Sequence, residues 1–267
     1  MSEAPIVVKI GGGANVGHAT LAAEAAQVPG LVLVHGCSAE ATSLGEALGV
    51  PARFVTSPGG HRSRFTDEPT LDVVHLAAQR VNARLVAACA AHGATCVGLR
   101  AGDAGVRAEW KDALRVVTPE GRTVVQRGDR SGRITHVDPR PLRALLDAGL
   151  LPVVGPIART PSGQLASVDG DRAAAALAQA LGARALVILT GVPGVLHDPT
   201  DPASRIPTLR LKETDESAPF ILGAMKRKVL AAKEAVAAGV PRVAIGPAAA
   251  AAPVRNALEG GGTLVVA

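Results

Sequence analysis

Ile6-Val7-Val8-Lys9-Ile10-Gly11-Gly12-Gly13 carries more structural information than any other stretch of this 267-residue chain. Its first five residues form an apolar, β-branched run bounded by glycine, the pattern of a buried strand. One residue breaks that pattern, because a lysine is costly to bury without a partner. Three glycines let the backbone approach a ligand closely and turn N–H groups toward an anion. Strand, cation and glycine turn together describe a phosphate cradle with positive charge beside it. A second cationic group, Lys226-Arg227-Lys228, stands far along the chain. Phosphoryl transfer calls for positive charge at both ends of the migrating group, so the two clusters form a natural pair.

Strand and helix patterns alternate through most of the remaining sequence. Leu31–His35 is a second β-rich run, reached through a helical composition over residues 19–27. It ends in another glycine turn, His35-Gly36-Cys37-Ser38, ahead of a helix over residues 38–48 with Ser38 as its N-cap. Leu71, Val74, Ala78, Val81 and Leu85 recur at spacings of three and four, which predicts a long helix over residues 69–92 stopped by Gly93. A strand follows at residues 96–99. Residues 102–136 change character: two β-prone pieces, 114–118 and 123–127, flank Pro119-Glu120-Gly121, a hairpin signal. Helices are then predicted over residues 139–148, Gly170–Leu181 and 225–238. Strands are predicted at residues 151–154, 185–189, 242–245 and Thr263–Val266. Such alternation predicts an α/β fold: a mainly parallel central sheet covered on both faces, with one small antiparallel excursion. No repeat or long linker divides the chain.

Composition narrows the function. Hydrophobic residues make up 48% of the chain, enough for a large core. No apolar run is long enough to span a bilayer, and residues 1–5 lack the basic and apolar regions of a signal peptide, so a cytoplasmic protein is expected. Cys37, Cys89 and Cys96 form no CxxC and suit a reducing compartment. The seven histidines show no metal-ligand spacing, so no metal site is expected. The net charge of +5 points to an acidic partner, or simply to an arginine-rich composition. Aromatics at 1% leave too few stacking platforms for nucleic-acid binding.

No GxxxxGK[ST] is present, and the first glycine turn lacks the GxGxxG spacing of a dinucleotide site. The two glycine turns each join a strand to a helix, where free N–H groups bind anions; on neighbouring strands they would face each other. Arg62 and Arg64 lie on a glycine-bearing loop, Ser57-Pro58-Gly59-Gly60-His61-Arg62-Ser63-Arg64. They form either a carboxylate clamp or a solvated basic loop. Asp169 and Asp171 open a helix; Asp169 suits the N-cap, and Asp171 either complements the helix dipole or orients lysines. Three cations at residues 226–228 sit at the electrostatically unfavourable end of a helix unless an anion is near.

The ordered set resembles the amino acid kinase family, in its acetylglutamate kinase branch. It comprises Lys9-Ile10-Gly11-Gly12, His35-Gly36-Cys37-Ser38, Ser63-Arg64-Phe65-Thr66-Asp67, Val168-Asp169-Gly170-Asp171, Leu189-Thr190-Gly191-Val192-Pro193-Gly194-Val195-Leu196 and Met225-Lys226-Arg227-Lys228-Val229. Within that branch, Pro58-Gly59-Gly60 and Asp169-Gly170-Asp171 resemble the kinases that act on α-aminoadipate attached to the acidic amino-group carrier protein LysW in lysine synthesis. The resemblance implies a three-layer α/β/α sandwich in one domain over residues 1–267, with an acyl-substrate lobe (1–168) and a nucleotide lobe (169–267). It implies ATP and Mg²⁺, a homodimer, LysW as partner, and phosphoryl transfer to a side-chain carboxylate. Carrier-linked glutamate is a further substrate it allows. Lys9 and Lys228 would be the transition-state lysines and Asp171 their organiser. Gly11 and Gly12 would meet the phosphates. Gly36 and Cys37 would lie where the second turn touches substrate, Arg64 would hold its α-carboxylate, and Ser167 would replace a usual asparagine. Thr190, Gly191, Gly194 and Val195 would flank the nucleotide. Cys37 stands where glycine is usual, so its side chain is expected to crowd the turn; Gly191 stands where an acid or amide is common. The rival readings are N-acetylglutamate kinase of arginine synthesis and a catalytically silent sensor of amino acid and nucleotide.

Overall fold

The computed structural model describes residues 3–13, 18–214 and 218–267, so Met1 and Ser2 of the N-terminal stretch lie outside it. In chain order the elements are β1 (Ile6–Ile10), α1 (His18–Ala25), β2 (Leu31–His35), α2 (Ser38–Ala47), β3 (Phe54–Thr56), β4 (Arg62–Arg64), α3 (Glu68–Ala91) and β5 (Cys96–Arg100). Then come β6 (Val106–Val117), β7 (Thr123–Val137), α4 (Arg140–Asp147), β8 (Leu151–Gly155), β9 (Ile157–Arg159), β10 (Leu165–Ser167), α5 (Gly170–Leu181) and β11 (Ala185–Thr190). The chain closes with β12 (Thr208–Arg210), α6 (Ala224–Ala237), β13 (Val243–Pro247), α7 (Pro253–Asn256) and β14 (Thr263–Val266).

Eight strands form the central sheet in the order β12-β14-β13-β11-β1-β2-β8-β5. All neighbours are parallel except β13 and β14. Because β1 pairs with both β2 and β11, every residue of it is buried, and its side chains alternate between two cores. Val7 packs with Val32, Val34 and Ile188 beneath α5 and α6. Ile6, Val8 and Ile10 pack with Leu31 and Leu33 beneath α1 and α3. The same period sends Lys9 to the Val7 face, where α5 and α6 begin.

Helix α3 presents Leu71, Val74, Ala78, Val81 and Leu85 to the second core, as their spacing requires. Asp67 caps it, accepting from the Thr70 N–H at 3.1 Å. Helix α5 starts at its expected cap: Asp169 accepts from the Asp171 and Arg172 amides at 2.9 and 3.0 Å. The expected cap at Ser38 is displaced by one residue. Cys37 occupies the cap position with no side-chain capping bond, and Ser38 is already helical. Here the preceding glycine turn, rather than a side-chain oxygen, sets the start of α2.

The antiparallel excursion turns at Gly121, whose φ of 80° is readily adopted by glycine. It is longer than its two β-prone pieces suggested: β6 and β7 pair from Val106 with Val137 to Val117 with Thr123. With β9 and β10 they close a four-stranded barrel, β10-β7-β6-β9. The loop carrying Arg62 and Arg64 forms a second antiparallel pair, β3 with β4. Among the described residues, no helix is long and apolar enough to cross a membrane.

Candidate active site

The two glycine turns meet at the carboxyl edge of β1 and β2. Gly36 N–H donates to the Ile10 carbonyl at 3.0 Å and Ala39 N–H to the Gly12 carbonyl at 2.8 Å. Contact is so close that a Cβ on Gly12 would stand 2.5 Å from the Cys37 nitrogen. One on Gly36 would stand 2.8 Å from the Gly12 nitrogen. Both positions therefore require glycine for space. Cys37 does not crowd the turn: its thiol is buried in the second core, 3.8 Å from the Val74 carbonyl. Burial pushes that thiol up to about 11, so it stays protonated and inert.

Lys9 reaches from this edge to the first turn of α5. Its Nζ lies 2.7 Å from Asp171 Oδ1. Lys228, in the second turn of α6, places its Nζ 3.4 Å from both carboxylate oxygens of the same aspartate. All three residues are buried, at 5%, 6% and 7% exposure for Lys9, Asp171 and Lys228. Two ammonium groups against one carboxylate leave a positive charge uncompensated inside the protein, a situation that favours a bound anion. Burial pushes the Asp171 carboxyl up, but the Lys9 and Lys228 charges outweigh it and hold it well below the usual carboxylate range. Burial, reinforced by repulsion from Lys9, pulls the Lys228 ammonium down to about 8.

Around this unit lies a large open cleft. Lys9, Gly11, Gly12, Gly36, Cys37, Arg64, Ser167, Asp171, Thr190, Gly191 and Lys228 all line it. So do Arg227 and the β7 residues Ser131 and Gly132. Thus eleven of the residues expected at the site share one cavity. Gly194 and Val195 do not join it. Val195 is fully buried and its N–H donates to Thr263 Oγ1 at 2.9 Å; a Cβ on Gly194 would strike that same oxygen. They pack the turn after β11 onto β14 rather than facing the cleft.

Arg64 sits on β4 with Nη2 donating to the Ser38 carbonyl at 3.1 Å and to Thr42 Oγ1 at 2.8 Å. Both acceptors are uncharged, so the guanidinium retains its positive charge for a carboxylate. Arg62 lies over the Phe54 ring at 4.1 Å, a cation–π contact at the cleft mouth.

Two supports of the site carry little sequence signal. Asp129 is fully buried on β7, and its carboxylate accepts from Thr66 N–H at 2.9 Å and from Ser131 N–H at 3.1 Å, with the Ser131 hydroxyl also donating to it. It ties the barrel to the end of the Arg64 strand. The other is His35, fully buried beside Gly36, whose ring contacts Asn82 of α3. Asn82 is the one signal available in advance: an amide on the apolar face of a long helix must have a partner.

The amino acid kinase family model matches residues 4–247. A [LysW]-aminoadipate kinase from Deinococcus radiodurans is 42% identical, covering 97% of this chain and 91% of that protein. The corresponding Thermus thermophilus kinase is 40% identical over 97% of this chain and 99% of its own length. A relative from Nitrosopumilus maritimus, named for both [LysW]-aminoadipate and [LysW]-glutamate kinase, is 35% identical over 95% of this chain and 96% of its own. Among solved structures, a carbamate kinase from Giardia lamblia bound to AMP-PNP superposes with a TM-score of 0.68 at 20% identity, covering 99% of each chain, a likeness of fold.

Proposed function

The chain belongs to the amino acid kinase family, and from that membership we propose that it transfers the γ-phosphoryl group of ATP to the side-chain carboxylate of α-aminoadipate carried by the acidic protein LysW, in lysine synthesis. LysW-linked glutamate is a second acceptor of the same chemistry. The Lys9–Asp171–Lys228 unit beside two touching glycine turns carries this reading: a buried net positive charge and clustered backbone amides suit a migrating PO₃ group. The 40–42% identity to the Deinococcus and Thermus kinases supports the carrier-linked substrate.

An acceptor carboxylate, with a pKa near about 4, is already a nucleophile at neutral pH and needs no general base. One of its oxygens attacks the γ-phosphorus, the bond to the β–γ bridging oxygen breaks, and ADP leaves with that electron pair. Lys228 balances charge on the β-phosphate side and Lys9 on the transferring group, while glycine amides meet the equatorial oxygens. Asp171 holds both ammoniums at working distance. It is engaged by two cations, so a Mg²⁺ carried by ATP would find no uncommitted carboxylate in this unit, and its chemistry would be charge neutralisation on the phosphates. Arg64 binds the acceptor's α-carboxylate and Ser167 offers a hydroxyl within the same cleft. Residues 1–168 form the acyl-substrate lobe and residues 169–267 the nucleotide lobe, where Thr190 and Gly191 flank ATP. The kinase works in the cytoplasm, in keeping with its free cysteines, and as the homodimer that the family resemblance implies.

Trapping the acyl phosphate as its hydroxamate tests the reading. Carrier-linked aminoadipate should be turned over far faster than free N-acetylglutamate. Preference for free N-acetylglutamate would transfer the chain to arginine synthesis. Absence of product with every acceptor, despite ATP binding, would leave a sensor.

A further inference from the structure

The second glycine turn has a buried support that the phosphoryl-transfer steps do not use. His35 ends β2 with no exposed surface. Asn82 Nδ2 donates to the Val153 carbonyl at 2.8 Å, which fixes which end of the amide bears hydrogen. The same Nδ2 lies 3.1 Å from His35 Nε2 and 3.5 Å from the Leu99 carbonyl, so its second hydrogen goes to the nearer Nε2, which accepts and carries no proton. The ring proton is therefore on Nδ1, 3.2 Å from the Gly36 carbonyl oxygen that accepts it. Two strand glycines make room for this pair. A Cβ on Gly98 would lie 2.1 Å from Asn82 Oδ1, and one on Gly155 would lie 3.1 Å from His35 Nε2. Burial, together with the nearby His18 and Lys9 charges, pulls the imidazole down to about 4 against the opposing pull of the Gly36 carbonyl, so the ring is neutral in use.

Fixing that carbonyl fixes an amide as well. No described peptide is cis, and in a trans peptide the C=O and N–H point to opposite sides. With the Gly36 oxygen held against the imidazole, the Cys37 N–H points away from the buried ring. Both Gly36 and Cys37 line the cleft. Among the described residues, the Cys37 N–H has no acceptor in the protein.

We propose that His35 and Asn82 are a positioning pair that orients the Gly36–Cys37 peptide so that the Cys37 N–H is aimed at the transferring phosphoryl group. This rests on the kinase reading above. The pair touches neither substrate nor nucleotide; its effect is to pre-set a donor that strengthens only as charge develops on the equatorial oxygens.

Asn82→Leu removes both amide donors at similar volume, and Asn82→Ser is a milder second variant should the first fail to fold. Single-turnover rates with the carrier-linked substrate should fall roughly 10- to 100-fold, with KM for ATP and for the carrier within about threefold of the parent. Nitrogen NMR of the histidine-labelled parent should show a neutral His35 protonated on Nδ1, a signature lost in the variants. Affinity for MgADP with aluminium fluoride, a mimic of the transferring group, should weaken about tenfold, and affinity for MgADP alone far less. That binding arm and the NMR arm decide the pair's role even if the parent phosphorylates no acceptor, an outcome that would sink the kinase reading alone. Unchanged single-turnover rates in a folded variant would overturn the proposal. So would a proton on Nε2 in the parent, or equal loss of affinity for MgADP with and without aluminium fluoride.

Discussion

Asp171 holds together two groups that would otherwise repel. Its carboxylate lies 2.7 Å from one buried ammonium and 3.4 Å from another. Replacing it with asparagine leaves both cations facing each other without compensation. Asp171→Asn should lower unfolding free energy by about 3–5 kcal/mol, the range for breaking a buried ion pair, read from urea titrations. A loss well under about 1 kcal/mol would mean that water already screens the cluster. The pH dependence has two windows of opposite origin. Asp171 is depressed in the folded state, so its contribution is present above its ordinary value of 3.8 and lost as pH falls through the lower folded value. Lys228 is depressed from 10.5 to about 8, so between those values the unfolded chain binds more protons and this residue makes stability rise with pH. Catalysis runs the other way, because an uncharged Lys228 cannot balance phosphate. The ratio kcat/KM for ATP should fall above about pH 8, while kcat at saturating ATP should hold to higher pH because the bound polyanion favours the ammonium. Coincident alkaline limbs in the two profiles would remove Lys228 from contact with the nucleotide. Lys9 itself was legible in the sequence, being a cation in a strand whose other positions all belong to a core. Asp171 was less so, since a carboxylate in a first helical turn is stable there without any partner.

At the scale of elements, the barrel and the β3–β4 pair form the outer walls of the cleft, and Asp129 fastens one to the other. Asp129→Ala would strand the Thr66 and Ser131 amides away from their acceptor. KM for the acyl substrate should rise roughly tenfold, with KM for ATP little changed, because Arg64 and Ser131 line the part of the cleft proposed for the acyl substrate. Equal rises in both would show a general loss of fold. Long elements were readable because their periodicity repeats: α3 buries all five residues that marked it. Strands β3, β4, β9 and β10 were not, at three residues each. Arg62-Ser63-Arg64 has no apolar alternation; only its pairing with Phe54–Thr56 makes it a strand. Strands β6 and β7 were read short because register shifts break their alternation between Arg107 and Ala108 and again beyond Trp110.

Across the whole molecule, the site is assembled from residues far apart in sequence. Parallel pairing of β1 with both β2 and β11 brings the glycine turns and Thr190 to one edge. Contact of α5 with α6 then brings Lys228 to Asp171. Spacing alone could not show this convergence; the demand for charge at both ends of a phosphoryl group, the paired glycine turns and the order of motifs pointed to it. Gly194 and Val195 illustrate the reverse, being close in sequence to Thr190 yet turned onto Thr263. Net charge also acts at this scale. With +5 overall, the protein should attract an acidic carrier at long range, so kcat/KM for carrier-linked aminoadipate should drop several-fold from low to physiological salt. A free acyl amino acid should show a much weaker dependence; equal salt slopes would exclude steering of the carrier. Convergence of two distant lysines on one migrating phosphoryl group is most directly tested by single-turnover phosphoryl transfer in Lys9→Met and Lys228→Met. Each should be slower by about 10²–10³-fold while remaining folded and able to bind nucleotide. Rates within about threefold of the parent in both variants would contradict it.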